Sequence, residues 1–128
     1  MKAICKKNKA KGLDLKEVSV LFKDEFQYNL ILEKEYLIMG MRINKQSNCI
    51  YYLIDEGGRP DWFPYMLFEI SDNKLAKDWS IKIFNKEEPG DIYYLCGFWE
   101  LVNDDNFHDL LIERDQQTMD IYFKQKQL

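Results

Sequence analysis

Short apolar runs separated by polar, glycine- or proline-bearing breaks predict a chain built mainly of strands, with period-two alternation clearest from Trp79 to Phe84. Residues 2–6 predict a short opening strand, and the basic stretch Lys6 to Lys11 leads into a turn. Asp14 to Phe26 supports two readings. Leu15, Val18, Phe22 and Phe26 make a helical stripe behind an Asp14/Glu17 capping pattern, while Val18, Val20 and Phe22 alternate as a strand would. The capping pattern favours a short helix or an irregular segment. Glu35 to Ile43 predicts a central strand, because Tyr36 and Ile38 on one face oppose Leu37, Met39 and Met41 on the other. Gly40 within it marks a bend or a close backbone approach.

Asn44 to Asn48 reads as a hairpin loop and Cys49 to Asp55 as the next strand. Glu56-Gly57-Gly58-Arg59-Pro60 breaks that strand, since paired glycines admit positive φ and Pro60 lacks a ladder donor. Asp61 to Phe63 resumes as a strand, Pro64 to Leu67 as one helical turn, and Phe68 to Ser71 as another strand. Residues 35–71 therefore read as an antiparallel meander. Trp79, Ile81 and Ile83 alternate with Ser80 and Lys82, which predicts a half-buried strand to Phe84. After a loop at 85–91, Ile92 to Val102 predicts an apolar strand bent at Gly97, and Asn103 to Asn106 a polar break. The tail reads as a helix with Phe107, Leu110, Leu111, Arg114, Thr118 and Tyr122 near one face. The competing hairpin pairs Leu110 to Ile112 with Met119, Ile121 and Phe123, but no glycine or proline supplies its turn.

The chain has 128 residues, enough for a single domain with its own core, and 46% of them are hydrophobic. Eighteen basic against 22 acidic residues give a net charge of −4, which argues against broad capture of nucleic acid or of an anionic membrane. No apolar run approaches the roughly 20 residues of a membrane span, and the opening residues lack the order of a secretory signal. A cytoplasmic protein is expected. Cys5, Cys49 and Cys96 are odd in number and widely spaced, unlike a disulfide framework or a zinc site, so they read as reduced, buried residues.

Four constellations are candidates for chemistry or recognition. The tip formed by Asp55, Glu56, Arg59, Asp61 and Trp62, with Tyr65 beyond it, has the charged rim and aromatic anchor of a protein-recognition loop; a solvated hairpin turn is the alternative. The aromatics Trp62, Phe63, Tyr65, Trp79, Tyr93, Tyr94, Phe98 and Trp99 read mainly as core, or as a binding face or homodimer seam where several are exposed together. His108 lies among Asp104, Asp105, Asp109, Glu113 and Asp115, which could orient it as a base, but no nucleophile or phosphate-cradling loop accompanies it. An acidic helix start accounts for the same residues. The lysines at 6–11 and 124–126 read as solubilising.

Tyr51-Tyr52-Leu53-Ile54-Asp55-Glu56-Gly57-Gly58-Arg59-Pro60-Asp61-Trp62-Phe63-Pro64, followed by Leu67-Phe68-Glu69-Ile70, resembles small bacterial barrels of the Src-homology-three-like type. The wider pattern, with Glu35 to Met41, Gly97 to Leu101 and Leu111 to Asp115, is similar to bacterial proteins of toxin-immunity type. The resemblance supplies no functional residues. The expected architecture is α+β, mainly antiparallel: one domain over 1–128, with a small bent barrel at 1–71 and a strand extension and C-terminal helix at 72–128. The expected function is non-catalytic protein binding, as an immunity-type inhibitor of a basic toxin, with no cofactor or metal. The first alternative is an accessory domain that binds a peptide or small ligand in an aromatic groove near Trp62 and Tyr65; the last is an enzyme using His108.

Overall fold

The computed structural model describes residues 1–11, 13, 26–46 and 49–128. The strands are β1 (Lys2–Cys5), β2 (Glu35–Leu37), β3 (Gly40–Asn44), β4 (Ile50–Glu56), β5 (Arg59–Pro64), β6 (Phe68–Asp72), β7 (Ser80–Ile83) and β8 (Ile92–Gly97). A 3-10 turn at Tyr65–Leu67 joins β5 to β6, and the chain ends in α1 (Trp99–Asn103), α2 (Phe107–Ile112) and α3 (Gln116–Lys126). The strands form two antiparallel sheets, β2-β1-β6 and β5-β4-β3-β8-β7. The architecture is thus α+β and mostly antiparallel. The ambiguous stretch Asp14 to Glu25, and Ser47 and Asn48 of the β3–β4 connection, lie outside the described residues.

The strand expected over Glu35 to Ile43 is divided. Ile38 donates its N–H to Met1 and stays with β1, whereas Met39 donates to Leu53 of β4. The chain passes from one sheet to the other between these residues, so both are buried, at 1% and 5% exposure. This crossing makes both faces of the segment read apolar. It also deals the strands of the expected bent barrel between two open sheets, and among the described residues no barrel closes.

The β4–β5 hairpin turns on Gly57 and Gly58, with φ of +62° and +76°, the two positive values that a tight two-residue turn with the twist of its strands requires. Glu56 opposite Arg59 closes the turn, and pairing then alternates along the ladder. That phase turns the nitrogens of Pro60 and Pro64 away from β4, where a missing N–H costs no ladder bond. The break expected at Pro60 is therefore absent, and β5 runs unbroken from Arg59 to Pro64.

Helices cover one face of the five-stranded sheet. Gly40 and Gly97 are directly opposed on β3 and β8, and Leu101 of α1 fills the notch they leave. A Cβ on Gly40 would lie 2.6 Å from Leu101 Cδ2, and one on Gly97 would lie 2.7 Å from it and 3.0 Å from the Met39 carbonyl oxygen. The strand expected to reach Val102 ends here instead, because the apolar residues after Gly97 turn back as α1 onto the sheet they leave. Phe98 meets Phe107 and Tyr122 edge to face, at ring separations of 5.4 and 6.1 Å, and so ties all three helices into one layer.

The tail is helical, as its stripe implies, but in two pieces. Arg114 takes a left-handed φ of +65°, Asp115 donates its N–H to Leu110 and Arg114 to Leu111, the paired bonds that close a helix end. Asp115 then starts α3 by accepting from the N–H and hydroxyl of Thr118. The opposite sheet face meets the smaller sheet through Tyr52 against Phe68, and Tyr28 packs on Phe63.

The glycine notch predicts a coupled pair. Gly40→Ala is expected to lower unfolding free energy by about 1–3 kcal/mol through overpacking. Gly40→Ala combined with Leu101→Ala is expected to cost less than the sum of the single changes, as measured by urea denaturation.

Candidate functional site

Arg42 is the one charged side chain of β3, between Met41 and Ile43. It points to the helix-covered face, where its guanidinium lies 5.2 Å from the Tyr51 ring centre and 4.8 Å from that of Trp62. Attraction to two aromatic faces helps to hold the cation. Trp62 is 8% exposed, and its indole N–H donates to His108 Nε2 at 2.9 Å. Arg42 approaches the same nitrogen at 3.3 Å. Indole and guanidinium are donors only, so Nε2 must present its lone pair. The proton of the neutral imidazole then sits on Nδ1, which faces Asp109 Oδ1 at 3.3 Å.

Burial lowers the His108 pKa from its ordinary value of 6.5; the hydrogen bond to Asp109 opposes the shift and the Arg42 charge adds to it. The imidazole is thereby kept neutral with its acceptor nitrogen occupied. It cannot receive a proton at Nε2 without displacing the indole donor, so this arrangement serves to position elements. It joins β3, β5 and α2 at one point.

Beside this cluster lies a cleft of about 440 Å³, bordered by Arg42, His108, Asp91, Asp104, Asp105 and Asp109, with Phe84 at one side. The structure thus gathers Asp104, Asp105 and Asp109 around His108 as their spacing suggested. Glu113 is exposed beyond the end of α2, and Asp115 caps α3. Among the described residues, no group of three or more histidine, cysteine or acidic side chains is placed to hold a metal ion. All three cysteines are buried, and burial raises the pKa of Cys5 and Cys96, which favours the thiol over the reactive thiolate.

The residues of the expected recognition tip are distributed over different surroundings. Asp55 faces the helices, where it accepts from the Tyr122 hydroxyl at 2.9 Å and from Lys126 at 2.8 and 2.9 Å. Glu56 accepts from the Tyr36 hydroxyl at 2.7 Å and from Lys34 at 3.0 Å. The Tyr36 bond, helped by Lys34 against partial burial, lowers the Glu56 pKa, while burial and the Glu56 partner push the Tyr36 phenol upward. Arg59 and Asp61 are exposed on β5, Tyr65 is 43% exposed on the 3-10 turn, and Trp62 lies inside. An anchor and rim on one surface is therefore not what these six residues form: strand alternation sends Asp55 and Trp62 under the helices and Asp61 to the other face.

The most exposed large apolar side chains of the folded elements are elsewhere. Ile81 and Ile83 on β7 and Trp99 on α1 are 60%, 68% and 60% exposed. Trp99 borders a second cleft of about 480 Å³ together with Leu37, Met39, Trp79 and Phe98. The alternation in β7 predicts burial of its isoleucine face, but that face is the one left uncovered, because α1 packs on the side of Ser80 and Lys82. Arg42 carried a signal that was missed, a lone cation inside an apolar strand.

The His108 cluster sets a pH dependence. Because folding lowers the imidazole pKa, the unfolded chain takes up the proton first as pH falls, and stability declines below about pH 6.5 until the folded state also protonates. Denaturation midpoints at pH 7.5 and 5.5 are expected to show this loss in the native chain and to lose most of it in His108→Ala. In Trp62→Phe, which removes the opposing donor, nuclear magnetic resonance titration should place the imidazole pKa closer to its ordinary value.

No helix among the described residues is long and apolar enough to cross a membrane. Comparison with known proteins finds no matching family model, no significantly similar curated protein and no significantly similar solved structure.

Proposed function

We propose that this chain is a non-catalytic protein-binding protein that acts as an immunity-type inhibitor of a basic bacterial toxin in the cytoplasm. The observation that carries the reading is the apolar surface left open on the sheet and beside it: Ile81 and Ile83 at 60% and 68% exposure, and Trp99 at 60%. Such side chains cost free energy in water and favour a partner that covers them. Two further observations support it. The only histidine has its acceptor nitrogen engaged by Trp62, which supports a positioning role for it. The open cleft beside β7 carries four aspartates, a field that speeds encounter with a basic partner. The hairpin on Gly57 and Gly58, with the Pro64 to Leu67 turn into β6, is the part of the chain that supports kinship with Src-homology-three-like barrels.

Binding of a peptide or small ligand in an aromatic groove is the second reading. What favours it is the cleft at Trp79, Phe98 and Trp99, a different place from Trp62 and Tyr65.

Co-expression with a toxin encoded beside this gene is expected to restore growth, and the purified pair to form a stoichiometric complex. Association is expected to slow about tenfold or more as salt is raised from low to physiological ionic strength. Unrestored growth together with no complex between the purified chains would overturn the immunity reading.

A further inference from the structure

The two edges of the five-stranded sheet differ. At the β5 edge, Pro60 and Pro64 turn donorless nitrogens outward, so that edge cannot form a complete ladder with another strand. At the β7 edge, among the described residues, neither a proline nor another strand occupies the outer side. Phe84 donates its N–H to the Tyr93 carbonyl at 2.9 Å, which fixes the phase of the β7–β8 ladder. Lys82 and Ser80 then exchange bonds with Leu95 and Gly97, and the N–H and C=O groups of Ile81 and Ile83 face away from β8. Among the described residues β7 pairs with β8 alone.

The side chains at this edge complete the template. On the face away from the helices, Ile43, Tyr94 and Ile83 lie in one cross-strand row and Met41, Cys96 and Ile81 in the next. Both rows run out to the edge and end in exposed isoleucines. On the helix face Lys82 lies 3.6 Å from Asp105, and Phe84 leads into the cleft with Asp91, Asp104, Asp105 and Asp109.

We propose that β7 is a strand-addition site that takes an extended, basic segment of a protein partner as a sixth, antiparallel strand. This deepens the protein-binding reading and rests on it. Apolar partner residues opposite Ile81 and Ile83 continue the two rows. A lysine or arginine near the start of the incoming strand, on the helix face beyond Lys82, meets the aspartates of the cleft. A second copy of this chain fits less well. The register that pairs Ile81 with Ile83 across a two-fold axis sets Lys82 against Lys82, a like-charge pair.

The test uses the full chain and short synthetic peptides that alternate valine and threonine, one beginning with two lysines and one with two glutamates. The lysine peptide is expected to bind, to protect the Ile81 and Ile83 amides from hydrogen exchange, and to bind about tenfold more tightly than the glutamate peptide. Ile81→Pro repeats on β7 the device found on β5: it removes an outward N–H and no β8 bond, so binding should vanish. Methylation of the lysine peptide's own edge-facing amides should abolish binding to the unaltered protein, which keeps the test valid if Ile81→Pro fails to fold. Binding that leaves the Ile81 and Ile83 amides unprotected overturns strand addition but leaves the protein-binding reading intact. Concentration-dependent protection without peptide replaces the partner with a second copy and overturns the proposal. No binding by either peptide overturns it too, while the toxin co-expression result decides the broader reading by itself.

Discussion

The helical layer depends on one steric constraint, the missing side chains of Gly40 and Gly97. Where two adjacent strands of a sheet both lack a Cβ at opposed positions, a helix can lower a leucine between them; here that leucine is Leu101. The depth of this contact sets where α1 lies, and α1 with Phe98 sets where α2 and α3 lie. His108 on α2 then arrives at Trp62, and Tyr122 on α3 arrives at Asp55. Each of those polar contacts is buried or half-buried, so each would cost free energy if the helices were displaced and the partners separated. A methyl group at one glycine acts on the whole layer for this reason.

The same layer divides the sheet into a settled half and an unsettled one. Over β4 and β5, both faces are covered, by helices on one side and by the smaller sheet with Tyr28 on the other. Towards β7 the helix side is still covered by α1, while the far side exposes Ile81 and Ile83. Polar chemistry has been drawn into the settled half: the imidazole, the guanidinium and the Asp55 and Glu56 carboxylates are all held there by specific partners. What the unsettled half offers is shape, backbone groups and an apolar surface.

Sequence reasoning read the elements better than their layering. An apolar run marked β4, paired glycines marked the turn that follows it, period-two alternation marked β7, and the stripe from Phe107 to Tyr122 marked a helical tail. Two errors share a cause. The strand foreseen at Glu35 to Ile43 and that foreseen at Ile92 to Val102 were apolar on both sides, which alternation equates with a central strand. In the first the chain crosses between sheets at Ile38 and Met39; in the second it turns into α1 after Gly97. Local pattern cannot distinguish burial by two flanking layers from burial at a crossing. The break at Arg114 escaped notice because its left-handed residue is not a glycine, although Asp115 three residues before Thr118 was a legible cap. The recognition tip failed as a unit for a simpler reason. Neighbours on a strand point to opposite faces, so Asp61 and Trp62 could never share a surface.

Charge binds the settled half to the unsettled one. The cleft beside β7 has four aspartates against Arg42, with Lys82 drawn towards Asp105, so it is net negative by two charges while His108 is neutral and would be so by only one if it were protonated. Burial and the two donors at Nε2 ensure that neutrality at ordinary pH. A protonated imidazole would place a positive charge among the same aspartates, weaken the negative field of the cleft on which the proposed basic partner depends, and disturb the Trp62 contact that holds α2 to β5. The neutral histidine therefore does two things by one physical cause: it fastens the helical layer, and it leaves the rim of the open edge acidic.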